Sequence, residues 1–349
     1  MERIINYDEL PRGNGQSVYL RMESDPNLYL YLLSKNYKVI SNIKDANDET
    51  IYITGRRQNR IALNFDDYKN MVDSKIQTLL KKRNIVKPNT VNFSLSDLVN
   101  HKYKVPFVLK NENRNGGKEK FLIATEEDYD NLLFTCDFLL SNQLFLLPQY
   151  NINDPKFKID YESYLENNFK VQEYIKTPTD FNTTVRLLTS SSNDLLYGSL
   201  KYNEPETLKD ETTLVGYLLG KIYPLSTPSI VSNTLSGGKN ILLFAQDYKL
   251  QEKELVDLHK IESDKFHELV HASQDVHELC KSELGIICGF DYIYDESRDK
   301  WFLLEYHSKP MVGDYSIRQG IDYETRDDRL TADGRVRATA LSLTLKKTR

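Results

Sequence analysis

Cysteine is scarce in this chain: Cys136, Cys280 and Cys288 are its only three, widely spaced and set in apolar patterns, and no CxxC pair exists. A disulfide framework or a cysteine zinc site is therefore not expected, and reduced, buried thiols in a cytoplasmic protein are. Long hydrophobic runs are missing too; none could span a bilayer. The first residues, MERIINYDEL, lack the basic-then-apolar layout of a signal peptide. Positive charge is not in excess: 46 Lys and Arg stand against 51 Asp and Glu, a formal net charge of -5. No broad basic field for nucleic acid is expected, and the one basic cluster, Lys81-Lys82-Arg83, reads as a solvated helix face. Internal repeats and low-complexity tracts are absent. What remains is 349 residues, 40% hydrophobic and 28% charged, enough for two or three subdomains with substantial cores.

Residues 1 to about 70 mix short apolar segments with Asn, Asp and Gly punctuation and read as a small α/β or β-rich unit. Gly13-Asn14-Gly15 follows no convincing strand, so it is expected to be a turn and not a dinucleotide loop. Helical periodicity starts at Asp73, with Ile76, Leu79 and Leu80 on one face, and Pro88 ends it. A short helix is expected at Ser96-Asp97-Leu98 and a buried strand at Val105 to Lys110. A polar Gly116-Gly117 loop and a strand from Lys120 to Ala124 follow. The next helix, Thr125 to about Leu140, has Thr125 as its cap and Asp128 three residues on. Residues 148–168, polar and rich in Tyr and Asn, look like an insertion. Beyond Val171 to Ile175, strands are expected at Thr184 to Thr189, Leu195 to Lys201 and Asn240 to Ala245. One long helical region follows, from Gln251 to Glu283, and a last helix lies within Arg335 to Arg349.

Chemistry concentrates between Gly285 and Pro310. Two apolar strands flank the charged turn Asp295 to Lys300, and Glu305 and His307, two apart, share one face of the second strand. Pairing in the hairpin brings Asp291 beside them. Two carboxylates and an imidazole on one sheet face are costly unless a cation or charged ligand neutralises them, which makes a metal site. Lys110 ahead of Asn113 to Lys118 suits a polyphosphate, a point charge beside a turn whose backbone can approach phosphate oxygens; an ordinary surface hairpin is the plainer alternative. Asn233 to Lys239, with Gly237-Gly238, is a second such turn. Asp180 in a Pro-containing loop suits sugar hydroxyls and Arg186 suits a phosphoryl group, with a simple salt bridge as the alternative. His267-Glu268-Leu269-Val270-His271 spells HExxH, yet on a helix whose apolar face is set by Phe266, Leu269, Val270 and Val276 both histidines project to solvent. His277 then lies about 15 Å along the axis from His267, too far to share a zinc ion.

Taken in order over roughly residues 71–345, these pieces resemble the ATP-grasp superfamily of ligases. The resemblance implies an α+β fold in which two subdomains clamp ATP: residues 1–70 as a small N-terminal unit, 71–172 as a central subdomain with a Gly-rich lid, and 173–349 as a C-terminal subdomain with the metal hairpin. It implies that Lys75, Lys110, Gly116 and Gly117 hold ATP phosphates and that Gln172 to Ile175, including Glu173, Tyr174 and Ile175, form the adenine hinge. Asp180 would take the ribose, Arg186 and Lys201 the transferred phosphate, and Asn233, Gly237 and Gly238 the substrate. Asp291, Glu305 and His307 would hold Mg2+ or Mn2+, His307 standing where the family has Asn and Met311 where Gly often follows the proline. The activity implied is ATP-dependent ligation of a carboxylate to an amine (or to a thiol or hydroxyl) through an acyl phosphate, with small-molecule or peptide carboxylates and amines as partners, no nucleic acid, no membrane, and a homodimer allowed. A catalytically silent ATP-binding module and a small-molecule kinase on the same fold are the alternatives.

Overall fold

The computed structural model describes residues 10–20, 26–47, 49–53, 65–111, 120–142, 161–179, 182–202, 239–243, 259–307 and 336–345. They form an α+β architecture with three sheets. None of the described helices is long and apolar enough to cross a membrane.

The first sheet is small and parallel. Its strands β1 (Ser17–Tyr19), β2 (Lys38–Ile40) and β3 (Ile51–Tyr52) lie in the order β2-β1-β3, with helix α1 (Pro26–Ser34) as the crossover. Asn14 and Gly15 both take positive φ (45° and 80°), so Gly13-Asn14-Gly15 is the expected turn. Leu10, Val18, Leu20, Leu28, Leu32 and Ile53 pack against Leu188 and Ile287 of the largest sheet and Val336 and Leu341 of helical residues 336–345.

The middle sheet is antiparallel, in the order β4-β7-β5-β6. It is built from β4 (Thr90–Asn92), β5 (Phe107–Asn111), β6 (Lys120–Ile123) and β7 (Phe169–Glu173), with helices α3 (Leu95–Val99), α4 (Glu126–Asn142) and α5 (Tyr161–Asn168). Strict alternation sends Phe107, Leu109, Phe121, Ile123, Phe169 and Val171 into a core with Tyr129, Leu132 and Leu165. The Thr125–Asp128 cap forms as expected: Asp128 N donates to Thr125 Oγ1 at 3.1 Å and Thr125 N donates to Asp128 Oδ2 at 3.0 Å. Residues 161–168, expected within an insertion, instead form α5, which buries Leu165 in this core and accepts from Leu95 N through Glu166. A helix of eight residues anchored mainly by one leucine leaves too short a periodic signal to read.

Five antiparallel strands make the largest sheet, ordered β10-β9-β8-β11-β12. They are β8 (Thr184–Ser190), β9 (Leu195–Tyr202), β10 (Lys239–Leu243), β11 (Ile287–Asp295) and β12 (Lys300–His307). One face carries helices α2 (Phe65–Lys81), α6 (Ser263–Leu279) and α7 (Lys281–Leu284). Val72, Ile76 and Leu80 of α2 and Phe266, Leu269 and Val276 of α6 meet Val185, Leu187, Phe290 and Tyr292 there. The continuous helix expected from Gln251 to Glu283 is broken. Residues 251–258 lie outside the described residues, and Lys260 takes φ 53°, a left-handed backbone no helix continues through. All three cysteines are buried and free, and burial pushes the thiols of Cys136 and Cys280 up to about 12 and about 11.

Buried hydroxyls and one imidazole lock α6 to the sheet. Ser273 Oγ meets Tyr292 Oη at 2.8 Å, and His277 spans Thr189 Oγ1 (2.8 Å) and the Gly285 carbonyl (2.9 Å). Burial lowers His277 to about 4, so the ring is neutral. A carbonyl only accepts, so Nε2 carries the proton and Nδ1 accepts from Thr189. Gly285 takes φ 83°, and a Cβ there would stand 3.0 Å from the Tyr52 carbonyl oxygen. Truncation tests this packing: Leu269→Ala, fully buried, is expected to cost about 2–5 kcal/mol in chemical denaturation. Leu279→Ala, 60% exposed on the same helix, should stay within about 0.5 kcal/mol.

Candidate functional site

The face of the five-stranded sheet opposite α6 is apolar at both ends and charged in the middle. At one end Leu188 and Ile287 meet the N-terminal unit. At the other Ile293 and Phe302 meet Ile175, with Val86 and Leu304 alongside. Between them, register places Asp291 opposite Arg186 on β8 and opposite Glu305 on β12, and Arg186 opposite Ser199 on β9. Lys201, two residues beyond Ser199, pairs with Thr184 on the same face.

A bulge aims the second half of β12. Tyr292 pairs with Leu303 but Asp291 with Glu305, so Leu304 is an extra residue. Before it, Trp301 and Leu303 point into the α6 core. Strict alternation would send Glu305 and His307 after them. The extra residue reverses the parity: Tyr306 packs against the core instead, and both polar side chains join Asp291.

Arg186 holds Asp291 through both its oxygens, Nε to Oδ1 at 2.6 Å and Nη2 to Oδ2 at 2.5 Å. Both side chains are largely buried, 14% and 12% exposed. Burial pushes the Asp291 carboxyl up, but Arg186, His307 and the charge of Lys201 outweigh it and hold the group well below the usual range. His307 Nε2 stands 3.3 Å from Glu305 and 3.6 Å from Asp291, at the long edge of hydrogen bonding. Burial opposes a charge on the ring, yet the two carboxylates raise His307 to about 9. Burial likewise raises Glu305, but the hydrogen bond from His307 and the nearby ammonium of Lys120 lower it below its ordinary value.

Lys120 brings the middle sheet to this face. Lys110 is paired directly with Lys120 on β6 and with Lys170 on β7, so the three lysines form one row on the sheet's non-core face. The segment after β7 fastens the two sheets together. Glu173 accepts from Asn89 N (2.8 Å) and from Arg298 Nη1 (3.1 Å) in the β11–β12 turn, Tyr174 Oη donates to Asn182 Oδ1 (3.3 Å), and Ile175 is buried.

Asp291, Glu305 and His307 each offer a ligand atom within 4.8 Å of the others, the one such trio among the described residues. Two carboxylates and an imidazole fit a divalent ion, Mn2+ more readily than oxygen-preferring Mg2+. Opposite Arg186, the buried Ser199 hydroxyl has no hydrogen-bond partner among the described residues. A buried orphan hydroxyl is costly, and an oxygen-rich ligand at this place would satisfy it.

Of the residues expected to act together, Arg186, Lys201, Asp291, Glu305 and His307 meet on one face, while Lys110 lies in the lysine row of the middle sheet. Lys75 does not join them. It pairs with Glu283 of α7 at 2.8 Å on the other side of the sheet, because the apolar stripe of α2 docks beside α6. Gly116, Gly117, Asp180, Asn233, Gly237 and Gly238 lie outside the described residues. The HExxH segment behaves as helix geometry requires: His267, Glu268 and His271 are exposed and His277 is buried. Lys120, Lys170 and Arg298 escaped the sequence reading, because only strand register places them.

No protein-family model matches the chain, and no curated protein matches it. Among solved structures it is similar to the ATP-grasp ligase PsnB complexed with minimal precursor, at 10% identity over 78% of this chain and 62% of that one, TM-score 0.37. It is similar to D-alanine–D-alanine ligase from Bacillus anthracis complexed with ATP, at 10% identity over 90% and 85% of the two chains, TM-score 0.38. The L-amino acid ligase from Bacillus licheniformis shows 9% identity over 91% and 73%, TM-score 0.41. The chain spans about three fifths of the length of PsnB. All three are ligases by name, but likeness at these scores carries no argument, and the case rests on the residues.

The raised His307 gives a pH test. Protonated His307 stabilises the fold fully below its ordinary 6.5, and that contribution is lost as pH rises through about 9. The melting temperature of the metal-free protein should fall over that window, and His307→Gln should flatten the slope. Divalent-ion affinity should climb over the same window, because the proton must leave.

Proposed function

We propose that this chain is an ATP-dependent ligase of the ATP-grasp type, joining a carboxylate to an amine on an amino acid or peptide. One observation carries the reading: Asp291, Glu305 and His307 converge on one sheet face with the Arg186 guanidinium beside them, and Lys120 of the middle sheet is near enough to help lower the Glu305 carboxyl. Opposed cationic and metal-binding walls suit a nucleotide polyphosphate and its divalent ion.

In this reading Lys110 anchors phosphate oxygens as a fixed charge. Asp291, Glu305 and His307 would hold a divalent ion, which when bound would neutralise charge between the β- and γ-phosphates. Arg186 and Lys201 stabilise the transferred phosphoryl group as the substrate carboxylate attacks it. The amine then attacks the acyl carbon of the acyl phosphate and displaces phosphate, leaving an amide, ADP and phosphate. The segment Gln172 to Ile175 would take the base, as the motif implies. Asp180, the Gly116-Gly117 lid and the Asn233 to Gly238 turn keep the roles the motifs imply.

Incubation with ATP, Mn2+ or Mg2+ and pools of amino acids or peptides tests the activity. Phosphate release should require a carboxylate acceptor, and Arg186→Ala should lower kcat by about a hundredfold or more. Release that never depends on an acceptor would overturn the ligase reading. A second reading, a silent nucleotide-binding module, is favoured by the bidentate grip of Arg186 on Asp291, which takes up a carboxylate the metal would need. Nucleotide binding without turnover, unrecovered in His307→Asn, would select it.

A further inference from the structure

We infer that the outer face of α2 and α6 is a self-complementary surface on which a second copy of this chain docks by a two-fold axis, with Leu279 of each copy packed on Leu79 of the other. This does not rest on the nucleotide reading. The two helices cover the side of the large sheet away from Asp291, so pairing there leaves the polar face open.

Two ion pairs set the frame. Lys75 meets Glu283 at 2.8 Å and Arg83 meets Asp275 at 2.5 Å, so α2 and α6 run antiparallel, with the pairs about two helical turns apart. Midway between them lie Leu79 and Leu279, one on each wall of a groove of about 310 Å3 that Ala272 and Val276 also line. Ala272 and Val276 are buried, Leu79 is partly buried, and Leu279 stands 60% exposed. An exposed leucine beside an apolar groove is a knob next to a hole.

Charge selects the occupant. Lys82 lies on the α2 rim of the groove and Glu278 on the α6 rim, and neither makes an ion pair among the described residues. The α2 rim belongs to the basic run Lys81-Lys82-Arg83, while the α6 rim carries Asp275 and Glu278. A surface basic along one rim and acidic along the other matches itself when turned over about an axis running along the groove. Helix α2 of one copy then lies over α6 of the other. Lys82 comes to Glu278 and Leu79 to Leu279, and each contact occurs twice. A uniformly basic or uniformly acidic partner would meet like charge along one rim. Two packed helices of this length offer a face about 25 Å by about 20 Å. That is near the lower end of specific interfaces, so the dimer separates on dilution.

Sedimentation equilibrium of the full chain, from micromolar to submillimolar concentration, tests this. The wild-type protein should pass from monomer to dimer across that range, and less readily at high salt. Leu279→Glu should weaken association about tenfold or more. Lys82→Glu and Glu278→Lys should each weaken it by setting like charges against each other across the axis. The double reversal should restore it, a recovery that no change in the fold would give. Circular dichroism of all four variants should match the wild type, because Lys82 and Leu279 are exposed and Glu278 is half-buried. A wild-type protein that stays monomeric throughout would overturn the inference. A dimer untouched by Leu279→Glu and by either reversal would place the contact on another face and overturn it equally. Reversals that weaken association singly but do not restore it together would overturn the two-fold match.

Discussion

The Arg186–Asp291 pair is the interaction on which the polar face depends. It sits on adjacent strands of the large sheet, mostly out of solvent, with Lys201 and His307 pressing on the same carboxylate. A buried carboxylate survives only with its partners in place. Here the partners come from three strands, β8, β9 and β12. Charge balance therefore links the strand that carries the basic residues to the hairpin that carries the acidic ones. The apolar patches at either end exclude water without covering the middle, so the charged patch stays both stable and reachable.

Opposite it lies a wall of different design. The middle sheet offers three lysines in a row, Lys120, Lys110 and Lys170, each directly opposite the next. The way these residues come together says more than any one motif, because each motif alone also fits a salt bridge or a surface turn.

Much of this was legible in the sequence, for identifiable reasons. Turns, caps and periodic faces are local, so Thr125–Asp128, the Gly13 turn and the apolar face of α6 read correctly. The acidic hairpin read correctly because pairing across a short turn is nearly local as well. Lys120 and Lys170 did not, because register between strands far apart in sequence follows from packing. Lys75 read wrongly because a helical stripe tells which residues are buried but not which sheet face receives them. The bulge at Leu304 left one trace: Trp301 and Leu303 share a parity with Glu305 and His307, and a strand cannot keep both sets on one buried face. That conflict is itself a signal for an inserted residue.

The joint between the walls is slight. Glu173 and Arg298 meet in a partly exposed ion pair, of a kind worth only about 0–1 kcal/mol, and beneath it Ile175 rests on a small apolar patch. Such a pivot tilts cheaply: the ion pair can lengthen while the isoleucine keeps its seat.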